Sequence, residues 1–150
     1  MRITSLLVEN FRSIRKLDVT LGDTTVFIGP NNAGKTAILD AARIALTRRW
    51  GQRGTGFTEY DVHLATEKDD PKTSPGVAIE LRAEEAQPGE WPEDIQQALD
   101  EIVQTDVVTG KSSITLRVTC AWSAAEACFQ PAWAFLNAAR QALAWKIHEK

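Results

Sequence analysis

The chain has 150 residues, of which 43% are apolar, and its formal net charge at pH 7 is -3. This length predicts one globular domain, and the small negative charge gives no reason to expect a strongly basic nucleic-acid-binding or membrane-surface protein. No apolar run is long enough to cross a membrane, and the N-terminus lacks the pattern of a secretory signal, so no membrane partner is expected.

The first third of the chain predicts a small sheet that leads into a helix. Residues 3–8 and 16–21 alternate as strands, and the segment 9–14 joins them. A third short strand is predicted over residues 25–28, beyond the Gly22-Asp23 turn pair. After it, residues 37–46 carry apolar side chains at helical spacing.

A glycine-rich motif stands between the predicted strand at 25–28 and the predicted helix at 37–46. Residues 29–36 read G-P-N-N-A-G-K-T and fit the pattern G-x-x-x-x-G-K-[ST] of the phosphate-binding loop, or Walker A motif. Such a loop gathers backbone N–H groups at the positive end of a helix, where phosphate oxygens bind. The motif therefore predicts a site for ATP with Mg²⁺.

Each position of residues 29–36, called here the glycine loop, has a predicted part in this site. Gly29 and Gly34 let the chain turn close to an anion, Lys35 reaches the β- and γ-phosphates, and the Thr36 hydroxyl is the predicted magnesium ligand. The complete set of predicted nucleotide-binding residues at this loop is Gly29, Pro30, Asn31, Asn32, Ala33, Gly34, Lys35, Thr36 and Ala37.

The remainder of the chain is predicted to mix strands and helices. A long surface excursion over residues 47–74 precedes a strand at 77–82 with one solvated face. A helix is predicted from Trp91 to about Gln104, a strand over 113–122 and a further helix after Pro131.

The two cysteines, Cys120 and Cys128, lack the spacing of a zinc site and are typical of a reducing cytoplasm. The predicted location of the protein is therefore cytoplasmic.

Some charged residues outside the glycine loop are weaker candidates for a functional role. Asp61 and His63 are open to a role beside phosphate or metal, but side chains in a charged loop are more often exposed, which is the favoured interpretation. The acidic pair after Leu99 is interpreted as a solvated helix face. A basic cluster matches a helix C-terminus and leaves DNA contact as the alternative; it comprises Arg43, Arg48, Arg49 and Arg53.

Two segments taken together, E-N-F-R-S-I at 9–14 and I-G-P-N-N-A-G-K-T at 28–36, resemble the N-terminal half of RecF/SMC-like ABC ATPases, and most of all the OLD family of ATP-dependent endonucleases. The resemblance implies an α/β P-loop NTPase lobe with a mixed sheet and flanking helices. It also implies that Arg12 and Ser13 lie beside the nucleotide. The alternative for Arg12 is a solvated charge at the end of a strand.

The same resemblance implies an ABC-type ATPase that dimerises, followed by a TOPRIM nuclease that cuts DNA. The 150 residues contain neither the apolar run ending in Asp-Glu (Walker B) nor a Leu-Ser-Gly-Gly-type signature, and no TOPRIM acidic cluster. Residues 1–150 are therefore expected to be a truncated N-terminal lobe that binds ATP without hydrolysing it. The intact protein is expected to homodimerise through its ATPase domain and to process DNA in phage defence or DNA repair.

Two alternatives stay open from the sequence. One is a truncated, non-catalytic nucleotide-binding module with a regulatory or interaction role. The other, less favoured, is a small P-loop kinase or GTPase, although no guanine-reading Asn-Lys-x-Asp tetrapeptide occurs.

Overall fold

The computed structural model describes residues 1–47 and 57–143. The regular elements in these ranges belong to the α/β class, as predicted. In chain order they are β1 (Arg2–Phe11), β2 (Ile14–Thr20), α1 (Lys35–Leu46), β3 (Val77–Glu84), α2 (Glu93–Leu99), β4 (Gln104–Thr105), β5 (Ser112–Ser123) and β6 (Cys128–Leu136). Two single-turn 3-10 helices, Glu59–Asp61 and Pro71–Thr73, lie between α1 and β3.

The strands form one sheet in the order β2-β1-β3-β5, with β4 and β6 both paired to the outer side of β5. All described pairs are antiparallel, so the sheet is not the mixed sheet that was predicted. The first two strands form a hairpin in which Phe11 pairs with Ile14. The turn of this hairpin consists of Arg12 and Ser13.

One face of the sheet is apolar and carries α1. Val8 on β1 pairs with Ile79 on β3, which pairs with Val118 on β5, and all three side chains have no exposed surface. Helix α1 packs across these three strands. It does so because its apolar residues recur at helical spacing; the buried ones are Ala37, Ile38, Ala41 and Ala45.

The opposite face of the sheet is more covered than the alternation in 77–82 predicts. Glu80 should point to solvent, yet it is only 8% exposed. Arg117 on β5 donates from Nε to Oε1 of Glu80 at 2.6 Å, and Arg140 donates from Nη2 to Oε2 at 2.5 Å. The prediction of a solvated face is therefore wrong at Glu80, because two arginines from later in the chain compensate its buried charge.

The predicted strand at 25–28 is not present. These residues belong to no strand, and Val26 and Ile28 are 72% and 93% exposed. A strand needs a neighbour that accepts and donates its backbone hydrogen bonds, and none of the described strands pairs with this segment. Residues 16–21 therefore have no strand partner beyond the Gly22-Asp23 turn pair.

Two helix predictions in the second half of the chain are also corrected. The segment after Pro131 belongs to β6, where Trp133 pairs with Val118 of β5 and Leu136 with Thr115. Its alanines and aromatics fit helical spacing, but pairing with β5 through a short turn outweighs that local preference. Helix α2 ends at Leu99, earlier than predicted, and β4 begins at Gln104.

The predicted surface excursion over 47–74 is partly buried. Phe57 and Val62 are 6% and 5% exposed and belong to the apolar core. Phe11 at the end of β1 forms an isolated antiparallel bridge with Val62. The segment 57–63 is therefore fixed against the β1–β2 turn rather than extending into solvent.

A buried carboxylate organises the loop after β3. Glu85 has no exposed surface and accepts hydrogen bonds from the backbone N–H groups of Trp91 at 2.9 Å, Ser112 at 2.7 Å and Gly89 at 3.3 Å. The bonds from Trp91 and Ser112, opposed by burial, hold the pKa of Glu85 below its usual value. This one side chain therefore ties the loop to the start of β5.

Neither cysteine is in a disulfide. Cys120 is buried, and burial together with the nearby charge of Asp61 raises the pKa of its thiol to about 11, whereas Cys128 is exposed. No helix within residues 1–47 and 57–143 is long and apolar enough to cross a membrane.

Candidate functional site

The glycine loop leads directly into the N-terminus of α1. Gly34 is the N-cap residue in the left-handed conformation (φ 85°, ψ 8°), and its carbonyl accepts the first helical hydrogen bond from Ile38 N–H at 3.0 Å. Within the described ranges, no side chain caps this helix start. The first N–H groups of an α-helix have no intrahelical acceptor, so those of α1 are available at the side of the helix that faces the loop.

The loop itself is held in a tight bend. Ala33 N–H donates to the Pro30 carbonyl at 3.2 Å, and Asn32 has a positive φ of 71°. A Cβ atom placed on Gly29 would lie 3.2 Å from the Ala33 methyl group. A larger residue than glycine at position 29 would therefore push the two sides of the bend apart.

The Lys35 side chain folds back over this bend. Its Nζ donates to the carbonyl oxygens of Gly29 at 2.6 Å and Pro30 at 2.7 Å. No carboxylate in the described part of the chain pairs with this ammonium group. Lys35 is therefore a cation held by neutral acceptors, and charged oxygen atoms would make stronger hydrogen bonds with it.

A cavity of about 590 Å³ opens where the glycine loop, the start of α1 and the β1–β2 turn meet. Its lining contains eight of the eleven residues predicted from the sequence as the nucleotide site: Arg12, Ser13, Asn31, Asn32, Gly34, Lys35, Thr36 and Ala37. The other three, Gly29, Pro30 and Ala33, form the bend behind Lys35. The turn and the loop, about twenty residues apart in sequence, thus contribute to one cavity.

Arg12 is paired with two acids, and its side chain is 35% exposed. Its Nε donates to Oδ1 of Asp61 at 2.8 Å, its Nη1 is hydrogen-bonded to Oδ2 of Asp40 on α1, and its guanidinium lies 4.9 Å from the centre of the Phe11 ring. Burial lowers the pKa of Arg12, but the bonds to the two carboxylates outweigh burial and raise it. The hydrogen bond from Arg12 lowers the pKa of Asp40.

Asp61 is buried, so the favoured interpretation of it as an exposed charge is wrong. It is 4% exposed, and Oδ2 accepts hydrogen bonds from Thr58 N–H at 2.8 Å and Thr58 Oγ1 at 3.0 Å while Oδ1 holds Arg12. Its backbone carbonyl accepts from Arg12 N–H at 2.8 Å. Asp61 therefore closes the 3-10 turn and fixes it to the β1–β2 turn.

His63 is half-buried in the same contact region. Its N–H donates to the Asn10 carbonyl at 3.0 Å, and its ring Nδ1 lies 2.7 Å from the Arg12 carbonyl. Because a carbonyl oxygen only accepts, this distance places a proton on Nδ1. The side chain fixes the backbone of the turn and is not among the residues that line the cavity.

The sequence did not predict that Asp40 and Asp61 pair with Arg12. Asp40 is the only acidic residue of α1, in a segment of alanine, isoleucine and leucine, and this isolation was an available signal. Asp61 gave no such signal, because its partner Arg12 lies 49 positions away and is reached only through tertiary packing.

The other charged candidates have simpler environments. Arg43 pairs with Asp40 one turn earlier in α1 at 3.1 Å, which supports the helix-end interpretation for that residue. The rest of the predicted basic cluster, Arg48, Arg49 and Arg53, lies outside the described residues. Asp100 and Glu101 at the end of α2 are exposed, as predicted.

A hairpin turn, a glycine loop and a helix start meet around one cavity. A family model described as "AAA ATPase domain" matches residues 1–116. This match covers more than half of the chain, and the chain belongs to that family.

Known proteins with similar sequences include nucleases and a repair protein. The chain is 47% identical over 45 residues to an OLD nuclease of Thermus scotoductus, covering 30% of this chain and 8% of that protein. It is 29% identical over 68 residues to the endonuclease GajA of Bacillus cereus, covering 45% and 12%. It is 44% identical over 50 residues to the DNA replication and repair protein RecF of Chloroflexus aurantiacus, covering 33% and 13%.

These matches confirm the resemblance to the OLD family that the segments 9–14 and 28–36 indicate. Each match nevertheless spans less than a seventh of the relative's own length.

Proposed function

We propose that the glycine loop and the N-terminus of α1 bind the polyphosphate of ATP together with Mg²⁺, as a P-loop. The observation that carries this proposal is the position of Lys35, whose ammonium group bends over the loop and whose side chain lines the cavity. The family match to an ATPase domain supports the same ligand class.

The groups around the cavity fit a polyphosphate. The N–H groups at the α1 N-terminus offer hydrogen bonds and a partial positive charge, and Lys35 adds a full charge with no carboxylate paired to it in residues 1–47 and 57–143. The volume of about 590 Å³ falls within the range of about 300–1,000 Å³ that is usual for small-molecule sites. Substituting oxygen atoms of phosphate for the two loop carbonyls would keep both hydrogen bonds of Lys35.

Magnesium fits the site through Thr36. This residue is exposed, follows Lys35 in the first turn of α1 and lines the cavity, so its hydroxyl oxygen is the donor we assign to the ion. Oxygen donors with several retained waters suit Mg²⁺, and an ion bound there would neutralise charge on the phosphate oxygens. In the described lining no carboxylate adds to this ligand set.

In a longer protein we propose that this module is the ATPase part of an OLD-like, ATP-dependent DNA endonuclease, acting in phage defence or DNA repair and assembling as a homodimer through the ATPase domain. The similarity to an OLD nuclease and to the endonuclease GajA supports this assignment. The 150-residue chain is expected to bind ATP without turning it over, because no Walker B carboxylate occurs in it to position water and metal.

The test is a titration with a fluorescent ATP analogue, with and without Mg²⁺. Lys35→Ala is expected to weaken binding about 10- to 100-fold, since a hydrogen bond to a charged group contributes about 1.5–3 kcal/mol. Lys72→Ala is the matched control, because Lys72 lies over the Trp122 ring at 4.6 Å and does not line the cavity. Equal affinities of the two variants, or no binding by the native chain, would contradict the proposal.

A further inference from the structure

We propose that Asp40 is a positioning residue that holds the Arg12 guanidinium at the phosphate-facing wall of the cavity and couples this wall to α1. This inference rests on the proposed function, since it concerns how the same cavity is prepared for its ligand. It assigns a part in nucleotide binding to an acid on the helix, separate from the glycine loop.

Hydrogen bonds to the backbone of Arg12 fix its position in the turn. Arg12 has a positive φ of 49°, its N–H donates to the Asp61 carbonyl and its own carbonyl accepts from His63 Nδ1. A positive φ is unfavourable for a residue with a side chain, so surrounding contacts have to maintain it. The base of the side chain is thereby set at one point on the cavity wall.

The guanidinium is then oriented by carboxylates on two sides. Asp61 accepts a hydrogen bond from Nε and Asp40 accepts one from Nη1. Nη2 has no acceptor among the described residues. Because Arg12 lines the cavity, an Nη2 group left over in this way is free for a phosphate oxygen. Both existing ion pairs can persist while that third contact forms.

Preorganisation is the physical gain from this arrangement. A free arginine side chain loses about 2 kcal/mol of rotamer entropy when a ligand fixes it, and here the carboxylates have already restricted it. The negative charges of these carboxylates offset the attraction between Arg12 and phosphate. Arg12 is therefore expected to contribute mainly a well-oriented hydrogen bond, and little net charge attraction. Without Asp40, the outer part of the guanidinium would be held on one side only.

The two acids are not equivalent as targets for mutation. Asp61 is 4% exposed and also closes the turn with Thr58, so its removal would disturb the fold around it. The Asp40 side chain is 21% exposed and its described partners are Arg12 and Arg43. Asp40 therefore allows the positioning role to be tested with limited structural damage.

The test is a double-mutant cycle on nucleotide affinity with Asp40→Ala, Arg12→Ala and the double variant, using the fluorescent ATP analogue with Mg²⁺. Asp40→Ala is expected to weaken binding about 3- to 10-fold in the native background and to have no further effect when Arg12 is already alanine. Asp40→Asn keeps an oxygen acceptor for Arg12 and is expected to lose less affinity. Urea unfolding of every variant verifies that it is folded.

Glu9→Ala serves as the control, because it also removes an acid from an ion pair, with Lys16 at 2.8 Å, outside the cavity lining. An equal loss from Asp40→Ala with and without Arg12, or no loss at all, would overturn the positioning role while leaving ATP binding intact. If the native chain and Lys72→Ala both fail to bind the analogue, the proposed function fails, and this inference with it.

Discussion

The substitution Gly34→Ala tests the conformation on which the site depends. Gly34 has a φ of 85°, and a Cβ atom added there would lie 3.0 Å from Oγ of Ser13 and 3.6 Å from Cγ1 of Ile14. Ser13 lines the cavity, so its hydroxyl would have to rotate away from the loop to relieve the contact. The variant should therefore affect both the stability of the fold and the nucleotide site.

Gly89→Ala provides a matched comparison. Gly89 has a similar φ of 75°, but an added Cβ atom there would meet no atom within 4 Å. Each variant is expected to lose about 1–2 kcal/mol of unfolding free energy from the left-handed backbone alone. The difference between the two variants isolates the contact with Ser13.

Nucleotide affinity should separate the two glycines. Gly34→Ala is expected to weaken binding about 10- to 100-fold, the effect of losing one hydrogen bond to a charged ligand, whereas Gly89→Ala should bind as the native chain does. Urea unfolding followed by tryptophan fluorescence measures the stability, and titration of the ATP analogue measures the affinity. If both variants bound with native affinity, the close approach of Gly34 and Ser13 would have no role in the site.

Three further predictions concern the fold. The hydrogen bonds that lower the pKa of Glu85 should stabilise the protein fully at pH values above the pKa of an unfolded glutamate. This stabilisation should be lost as the pH falls through the lower pKa of the folded state. In Glu85→Gln, the midpoint of urea unfolding should therefore depend less on pH in this range. An aromatic disulfide reagent at pH 8 should label Cys128 rapidly in the native chain, and Cys120, with a pKa of about 11, only after unfolding; two rapid labels would contradict its burial. Ile28→Ala should change the unfolding free energy by less than about 0.5 kcal/mol, and Ile79→Ala should lower it by about 2–5 kcal/mol; comparable losses would mean that the Ile28 side chain is packed.

Local patterns in the sequence were sufficient to predict part of this fold. Helix α1 was predictable because its buried face and its glycine N-cap both lie within a dozen residues. Strands β3 and β5 were predictable from alternation, since each buries one apolar face against α1. The glycine loop could also be recognised from the sequence, because its motif is contiguous.

The secondary-structure predictions were wrong where a strand distant in sequence decides the conformation. The segment 25–28 has the composition of a strand, but a strand exists only beside another, and the described sheet ends at β2. Residues 131–136 fit a helix until β5 is available to pair with them. Composition alone carries no information about either partner.

The candidate site divides in the same way. Lys35 and Thr36 were predicted from a contiguous motif whose chemistry is local, and both line the cavity. The acids around Arg12 could not, because Asp40 and Asp61 meet it only after α1 and the 57–63 segment have packed against the β1–β2 turn. Ion pairs of this kind depend on tertiary structure and leave no spacing rule in the sequence.

The central claim is that the loop recognises polyphosphate itself, and competition by inorganic tripolyphosphate tests it most directly. With the fluorescent ATP analogue bound in the presence of Mg²⁺, tripolyphosphate should displace it from the native chain, and adenosine should be a much weaker competitor. Lys35→Ala should lose most of its affinity for tripolyphosphate, because the proposed site exchanges the two hydrogen bonds of Lys35 to loop carbonyls for bonds to phosphate oxygens. Displacement by adenosine at lower concentrations than by tripolyphosphate would contradict the claim.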